Sequence, residues 1–216
     1  MRLKRFIRAV GDRRIVSFDI FDTLLLRRDT TPESVMGAVA EQIKADAKEF
    51  ISKRKEAECQ ARLSAHGGEV TLDDIYSYLR KDYPTVNPVM EIEAELDACA
   101  ANDRVLPLFE WALANRCVVL TSDMYLDSAT ITSMLAKAGI TGYEKVFVSN
   151  ECGCDKRSCG LFRHVAKDLG VDTSDIAHIG DSLKADILGA RKAGVKPIFI
   201  PKRHLAMRMI RKILKR

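Results

Sequence analysis

Acidic side chains close two strongly apolar runs in this chain. Asp19 and Asp22 follow Ile15-Val16-Ser17-Phe18, and Asp181 follows Ile176-Ala177-His178-Ile179, with Asp186 a turn further on. A carboxylate at the end of a buried segment is costly unless something cationic meets it. A divalent metal, or chemistry that needs a nucleophile, would give these positions a purpose. Two hydroxyls, Thr121 and Ser122, close a third apolar run, Cys117-Val118-Val119-Leu120, and Lys156 stands in the loop beyond a fourth, Val146-Phe147-Val148.

The elements that must position these groups can be read from periodicity. Short, β-branched apolar runs bounded by polar loops fit strands covered on both faces. Helical spacing fills the gaps between them. Leu3 to Val10 is a helix stopped by Gly11-Asp12, and Asp127-Ser128 caps one carrying Ile131, Met134 and Leu135 that Gly139 ends. Leu161, Phe162, Val165 and Leu169 place another before Gly170, and the helix bearing Asp186 stops at Gly194. Pro197-Ile198-Phe199-Ile200 supplies a fifth strand. The expected fold class is α/β, a Rossmann-like parallel sheet of about five strands with helices on both faces. Such sheets bind ligands outside the carboxyl ends of their strands, so Asp19, Thr121, Ser122, Lys156 and Asp181 should converge.

From about Thr30 to Asn102 the character changes to long helical patterns, many charges and few strand-like runs. Thr31-Pro32-Glu33 opens a helix, His66-Gly67-Gly68 breaks one, Thr71-Leu72-Asp73-Asp74 restarts one, and Met90 to Ala101 reads as one more. This predicts an all-helical insertion over residues 29–102 after the first strand, with residues 1–28 and 103–216 forming the α/β core. Within the insertion Lys53, Arg54, Lys55 and Arg62 read as a solvated face, or as one from which a cation reaches an anionic substrate on closure.

The chain has 216 residues, is 47% hydrophobic and 30% charged, and has a net charge of +5. These are ordinary values for a globular protein. The charge is uneven: residues 1–14 and 201–216 together carry +12, which leaves −7 for the middle. An acidic centre with basic tails does not fit a general nucleic-acid binder, whose cations would line the working face. The segment Leu205 to Arg216 mixes apolar and basic residues, as an interfacial or partner-binding helix does and as a solvated last helix also does. No apolar run reaches the length of a spanning helix, and the basic N-terminus lacks the pattern of a secretory signal, so a cytoplasmic protein with free thiols is expected. Cys152, Cys154 and Cys159 cluster, but their spacing matches none of the usual paired-cysteine metal sites.

Four pieces occur in order along the chain: Asp19-Ile20-Phe21-Asp22-Thr23-Leu24, the Thr121-Ser122 strand end, Lys156 six residues before Phe162, and Gly180-Asp181-Ser182 with Asp186. Together they resemble the four motifs of the haloacid dehalogenase (HAD-like) hydrolase superfamily, and the helical block falls where that superfamily inserts its cap. The resemblance implies a magnesium-dependent phosphohydrolase in which Asp19 is the nucleophile that forms an aspartyl-phosphate. It implies Asp19, the Phe21 carbonyl, Asp181 and Asp186 as metal ligands, a set of hard oxygens that suits Mg2+. It further implies that Lys156 pairs with the nucleophile and the phosphoryl oxygens. Ser122, or Thr121 if the strand ends one residue earlier, would bind the phosphoryl group, with Thr23 beside it.

One departure stands out. Phosphatases of this family usually carry a second Asp two positions after the nucleophile to protonate the leaving group, and here that position is Phe21. Losing a general acid or base costs about a hundredfold to ten-thousandfold in rate. Asp22, one further on, either takes over that role or caps the turn and holds Thr23. Asp123 reads equally as a turn residue, a supporting acid or an acceptor for sugar hydroxyls. His178, inside a strand, reads as a core hydrogen-bonder.

Ser17 to Leu25 together with Ser122-Asp123-Met124-Tyr125-Leu126 also resembles a bacterial subgroup of HAD-like proteins joined to, or encoded beside, glycosyltransferases of surface-polysaccharide synthesis. That implies a glycosyltransferase partner, with the basic tails available for a partner or membrane surface. Three functions follow. The favoured one is a phosphohydrolase acting on a small phosphorylated metabolite, a sugar phosphate among the candidates. The second is a weakly or non-catalytic module that binds a phosphorylated ligand or the glycosyltransferase. The third is a halide- or phosphonate-type reaction, and Gly180-Asp181 with Asp186 argues against dehalogenation.

Overall fold

The computed structural model describes residues 1–27, 31–66 and 68–202. The basic stretch Leu205 to Arg216, read above as an interfacial helix, lies outside the described residues, as does Gly67 of the expected helix break.

The chain opens with α1 (Leu3–Val10) and β1 (Ile15–Asp19), turns sharply, and forms a short β2 (Leu25–Arg27). Four helices follow, α2 (Pro32–Gln42), α3 (Ala47–Ser64), α4 (Leu72–Leu79) and α5 (Pro88–Ala98), and then β3 (Cys99–Ala101). Thereafter α6 (Leu106–Asn115) leads to β4 (Cys117–Ser122), and α7 (Ser128–Lys137) to β5 (Lys145–Val148). A single turn, α8 (Ser149–Cys152), and α9 (Gly160–Asp168) lead to β6 (Ile176–Gly180). A π-helical stretch, Leu183–Gly189, continues into α10 (Ala190–Ala193) and β7 (Lys196–Phe199).

Five of the strands form one parallel sheet in the order β5-β4-β1-β6-β7, which puts β1 at its centre. Side chains alternate across a strand, and along β1 this sorts the core into two halves. Val16 and Phe18 point into one cluster with Phe6, Phe109 and Leu135. Ile15 joins the other, with Val119, Phe147, Leu161 and Phe162. Phe18 is fully buried, edge-on to Phe109 at 5.4 Å, so its truncation to alanine would cost about 3–5 kcal/mol. Ser17 and Asp19 share the Ile15 face, and that parity aims Asp19 into the site.

The insertion is not helical throughout. The helix expected from Met90 to Ala101 ends at Ala98, because Cys99–Ala101 pairs antiparallel with Leu25–Arg27. Asn102 extends the ribbon, donating from its backbone to Leu24 O (2.8 Å) and from Nδ2 to Thr23 O (2.7 Å). Helix-compatible Cys-Ala-Ala is thus held extended by tertiary pairing, which routinely overrides propensity. A second expectation fails at Arg54: it is no part of a solvated face but fully buried, donating from Nε and Nη2 to both oxygens of Glu91 at 2.7 and 2.8 Å. The capping at Thr71 holds as a reciprocal capping box with Asp74, whereas Thr31 makes no capping bond although Pro32 opens α2. All six cysteines are free thiols, and among the described residues no helix is long and apolar enough to cross a membrane.

Candidate active site

Directly after β1 the backbone closes on itself. The Ile20 carbonyl accepts the N–H groups of Leu24 and Leu25 at 2.8 Å each and of Thr23 at 3.3 Å. So tight a turn leaves Asp22 with φ 62°, a left-handed conformation that Asp tolerates better than most residues. β4 and β6 flank β1 and end level with it, at Ser122 and Gly180, so three strand ends deliver polar groups to one spot.

There Lys156 Nζ donates to Asp19 Oδ1 at 2.6 Å and lies 2.7 Å from Asp186 Oδ1. Asp19, Asp181 and Asp186 each offer a carboxylate oxygen, all within 4.8 Å of one another. Asp186 is fixed from behind: the Ser182 N–H donates to its Oδ2 at 2.7 Å, and His178 Nε2 is 3.2 Å from its Oδ1. His178 Nδ1 in turn lies 2.9 Å from Ser17 Oγ, which identifies His178 as a fully buried supporting group. Two glycines make this packing possible. A Cβ on Gly180 would collide with the Asp186 carboxyl, and one on Gly189 with the Lys156 carbonyl. The π-helical widening at Leu183–Gly189, a distortion frequent at functional sites, carries Asp186 into place.

The electrostatics follow from burial in a cluster of like charges. Burial pushes the Asp19 carboxyl up to about 8, against the pull of Lys156 and with the help of Asp186 and Asp181. Asp181 is also raised, by burial first, with Lys202 opposing. Burial works against the charge of Asp186 too, but Lys156 and His178 outweigh it and hold Asp186 well below the carboxylate range. Burial opposes the Lys156 ammonium, and the surrounding Asp19, Asp186 and Asp123 carboxylates overcome it and raise its pKa. Burial lowers His178, so the ring is neutral, which lets Nε2–H donate to Asp186 while Nδ1 accepts from Ser17.

A cavity of about 410 Å³ opens over these groups, and Asp19, Phe21, Asp22, Ser122, Lys156 and Asp181 are among the residues that line it. Two substrate-binding expectations need correction. β4 runs through Ser122, which lines the cavity, whereas Thr121, level with Asp19 and on its face, is fully buried with Oγ1 3.1 Å from Ser17 Oγ and does not line it. Thr23 is fully buried and does not line the cavity; its carbonyl holds Asn102 instead. Asp123 Oδ1 accepts the Lys156 backbone N–H at 2.9 Å and thereby anchors the lysine loop.

Several groups escaped the sequence reading. Lys202, just past β7, reaches the cavity and pairs with Asp22 Oδ2 at 2.6 Å and Asp181 Oδ2 at 3.1 Å. The rule that collected the other strand-end residues applies equally to the end of the fifth strand and could have found it. Tyr125, from the loop after β4, donates its hydroxyl to Glu91 Oε1 at 2.9 Å, and the Arg54 guanidinium lies 4.9 Å above its ring. Arg27 donates from Nε and Nη2 to Glu95 at 2.7–3.2 Å and lies 4.9 Å over the ring of Phe21. These pairings join elements distant in sequence and have no local pattern.

Solved structures share this arrangement of elements at low identity. The HAD-hydrolase YfnB from Bacillus subtilis bound to magnesium superposes with a TM-score of 0.64 at 19% identity, covering 93% of this chain and 100% of its own. A HAD phosphatase from Thermococcus onnurineus gives 0.61 at 17%, covering 88% and 87%. A 2-haloacid dehalogenase from Pseudomonas syringae gives 0.61 at 19%, covering 86% and 85%. These likenesses establish the fold, and among curated proteins none matches the chain significantly. The family model described as haloacid dehalogenase-like hydrolase matches residues 14–194, which span β1, the cluster of three carboxylates and Lys156, and on that match the chain belongs to the haloacid dehalogenase-like hydrolases.

Proposed function

We propose that the protein is a magnesium-dependent phosphohydrolase that acts on a small phosphorylated metabolite through an aspartyl-phosphate. The observation that carries this is the cluster of Asp19, Asp181 and Asp186 oxygens within 4.8 Å, with Lys156 bridging two of them. Three carboxyl groups crowd against one buried ammonium and a part-exposed Lys202, so that Asp19 holds a proton well above the ordinary range until a further cation arrives, and a hard divalent cation fits that oxygen donor set. Asp19, the Phe21 carbonyl, Asp181 and Asp186 would hold it. When bound, magnesium neutralises charge on the phosphoryl oxygens and so lowers the barrier to attack. A dehalogenase has no need of such an excess of carboxylates.

Phosphoryl transfer is mostly positioning and charge neutralisation. An Asp19 oxygen attacks phosphorus, and the bond to the leaving oxygen breaks with its electron pair. Lys156 fixes the Asp19 side chain and meets the phosphoryl charge. Ser122 donates its hydroxyl to a phosphoryl oxygen. Water then cleaves the acyl phosphate, releasing phosphate and restoring Asp19. With Phe21 in the acid position, Asp22, which lines the cavity, would give a proton to the leaving oxygen and take one back from the attacking water. The helical block, as a cap, selects the substrate.

Phosphate release from an aryl phosphate and a panel of metabolite phosphates, with magnesium or with chelator, tests this. Activity should need the metal and vanish in Asp19→Asn; loss in Asp22→Asn would assign the proton relay. Phe21 alone favours a second reading, a module that binds a phosphorylated ligand or a glycosyltransferase. Magnesium binding without turnover across the panel would establish that reading instead.

A further inference from the structure

The cavity has two unlike ends. Asp19, Lys156, Asp181 and Asp186 gather at the strand ends, while Pro32 and Met36 of α2 and Glu58 of α3 arrive from the helical block. Resting on the phosphohydrolase reading, we infer that the leaving group of the substrate carries an aromatic ring close to the phosphate and is not a polyhydroxylated sugar.

The argument is one of hydrogen-bond satisfaction. A site built for a sugar must offer donors and acceptors to its hydroxyls, since a buried hydroxyl left without a partner is penalised. Beyond the charged end the lining includes Phe21, Pro32, Met36, Met124 and Tyr125, together with Arg27, Glu58 and Asp123. The polar groups beside it, Arg27, Glu58, Asp123 and the Tyr125 hydroxyl, each spend part of their hydrogen-bonding capacity within the protein. Glu58 accepts from Arg62 at Oε1 (2.9 and 3.0 Å) and from Arg54 at Oε2 (3.3 Å). The Tyr125 hydroxyl donates to Glu91, and Arg27 turns two nitrogens to Glu95 and its face to Phe21. Beside the charged end the cavity thus presents two aromatic rings and two polarisable methionines, surfaces that favour a flat π-system. Its volume of about 410 Å³ holds a phosphate with one or two rings.

The test uses primary alkyl phosphates of similar intrinsic reactivity: 2-phenylethyl phosphate against glycerol 1-phosphate and glucose 6-phosphate, with the wild-type protein and magnesium. The aromatic ester should have at least about a tenfold higher kcat/KM, the discrimination expected of an apolar pocket. Benzylphosphonate and methylphosphonate, which cannot be hydrolysed, give a binding readout that does not depend on turnover. Benzylphosphonate should bind more tightly by a similar factor, Met36→Ser or Met124→Ser should erase the difference, and Met36→Leu should keep it. Equal or reversed preference for the sugar phosphates, equal affinity for the two phosphonates, or no binding of either would overturn the inference. Tight benzylphosphonate binding without turnover of any ester would sink the phosphohydrolase reading and leave the ligand assignment standing.

Discussion

Lys202 Nζ sits 2.6 Å from Asp22 Oδ2 and 3.1 Å from Asp181 Oδ2, which makes it an internal counter-ion on the rim of the acidic cluster. Lys202 is 36% exposed, so the pair itself stabilises the fold by no more than about 1 kcal/mol. Its larger effect is on cation binding. An ammonium on Asp181 opposes the arrival of a second cation, so Lys202→Met should tighten magnesium binding several-fold by calorimetry, with little change in melting temperature. Weaker magnesium binding in the variant would show that Lys202 supports the site instead of competing for it.

Asp19 sets a pH dependence. Its folded value of about 8 lies above the ordinary 3.8, so the metal-free folded protein keeps a proton that the unfolded chain gives up. The contribution is fully present below the ordinary value and is lost as pH rises towards 8. Asp186 acts in another window, since its lowered value costs stability only as pH falls below the ordinary carboxylate range. Thermal melts in chelator should therefore show stability declining from about pH 5 to pH 8. Magnesium held at Asp19 would displace that proton, so its stabilising shift should be larger at pH 8 than at pH 6. A shift independent of pH would refute the link between that proton and the metal.

The Arg54–Glu91 pair is fully buried and also holds Tyr76 (3.0 Å) and Tyr125. Breaking such a pair strands a charge, so Arg54→Met or Glu91→Leu alone should cost about 3–5 kcal/mol in urea denaturation. The double variant should recover much of that loss. Additive losses would mean that the two residues do not act as a pair.

Gly180→Ala tests the close approach that seats Asp186. The new methyl has no room beside that carboxyl, so Asp186 must swing away from Lys156. The fold should survive while magnesium affinity falls by about tenfold, the scale reported for disturbed support around metal ligands. Unchanged affinity would show that Asp186 is not held where the metal needs it.

Much of the site was legible because one topological rule collects residues scattered along the chain. Asp19 and Ser122 close strands and Lys156 and Asp181 lie in the loops beyond them, and short apolar runs mark strands well. Where the rule had to resolve one residue it faltered, as at Thr121, which shares the face of Asp19 but is buried against Ser17 one residue short of the strand end. Arg54 misled because a charged side chain on a charged helix looks solvated until its partner, 37 positions away, is known. Cys99–Ala101 misled because three helix-compatible residues form a strand only when Leu25–Arg27 lies alongside.

That ribbon has a kinetic consequence. Ile15 must find Cys117 to start the central sheet, with the whole helical block in between. The entropy of closing a loop rises with its length, and distant pairings slow folding. Zipping Leu25–Arg27 to Cys99–Ala101 pinches the intervening segment off, leaving only short spans between each ribbon strand and its sheet strand. The block, whose helices contact near neighbours in the chain, can collapse early and draw β1 and β4 together. A proline in the ribbon at Ala100 should therefore register in the refolding rate before it registers in the chemistry of the site.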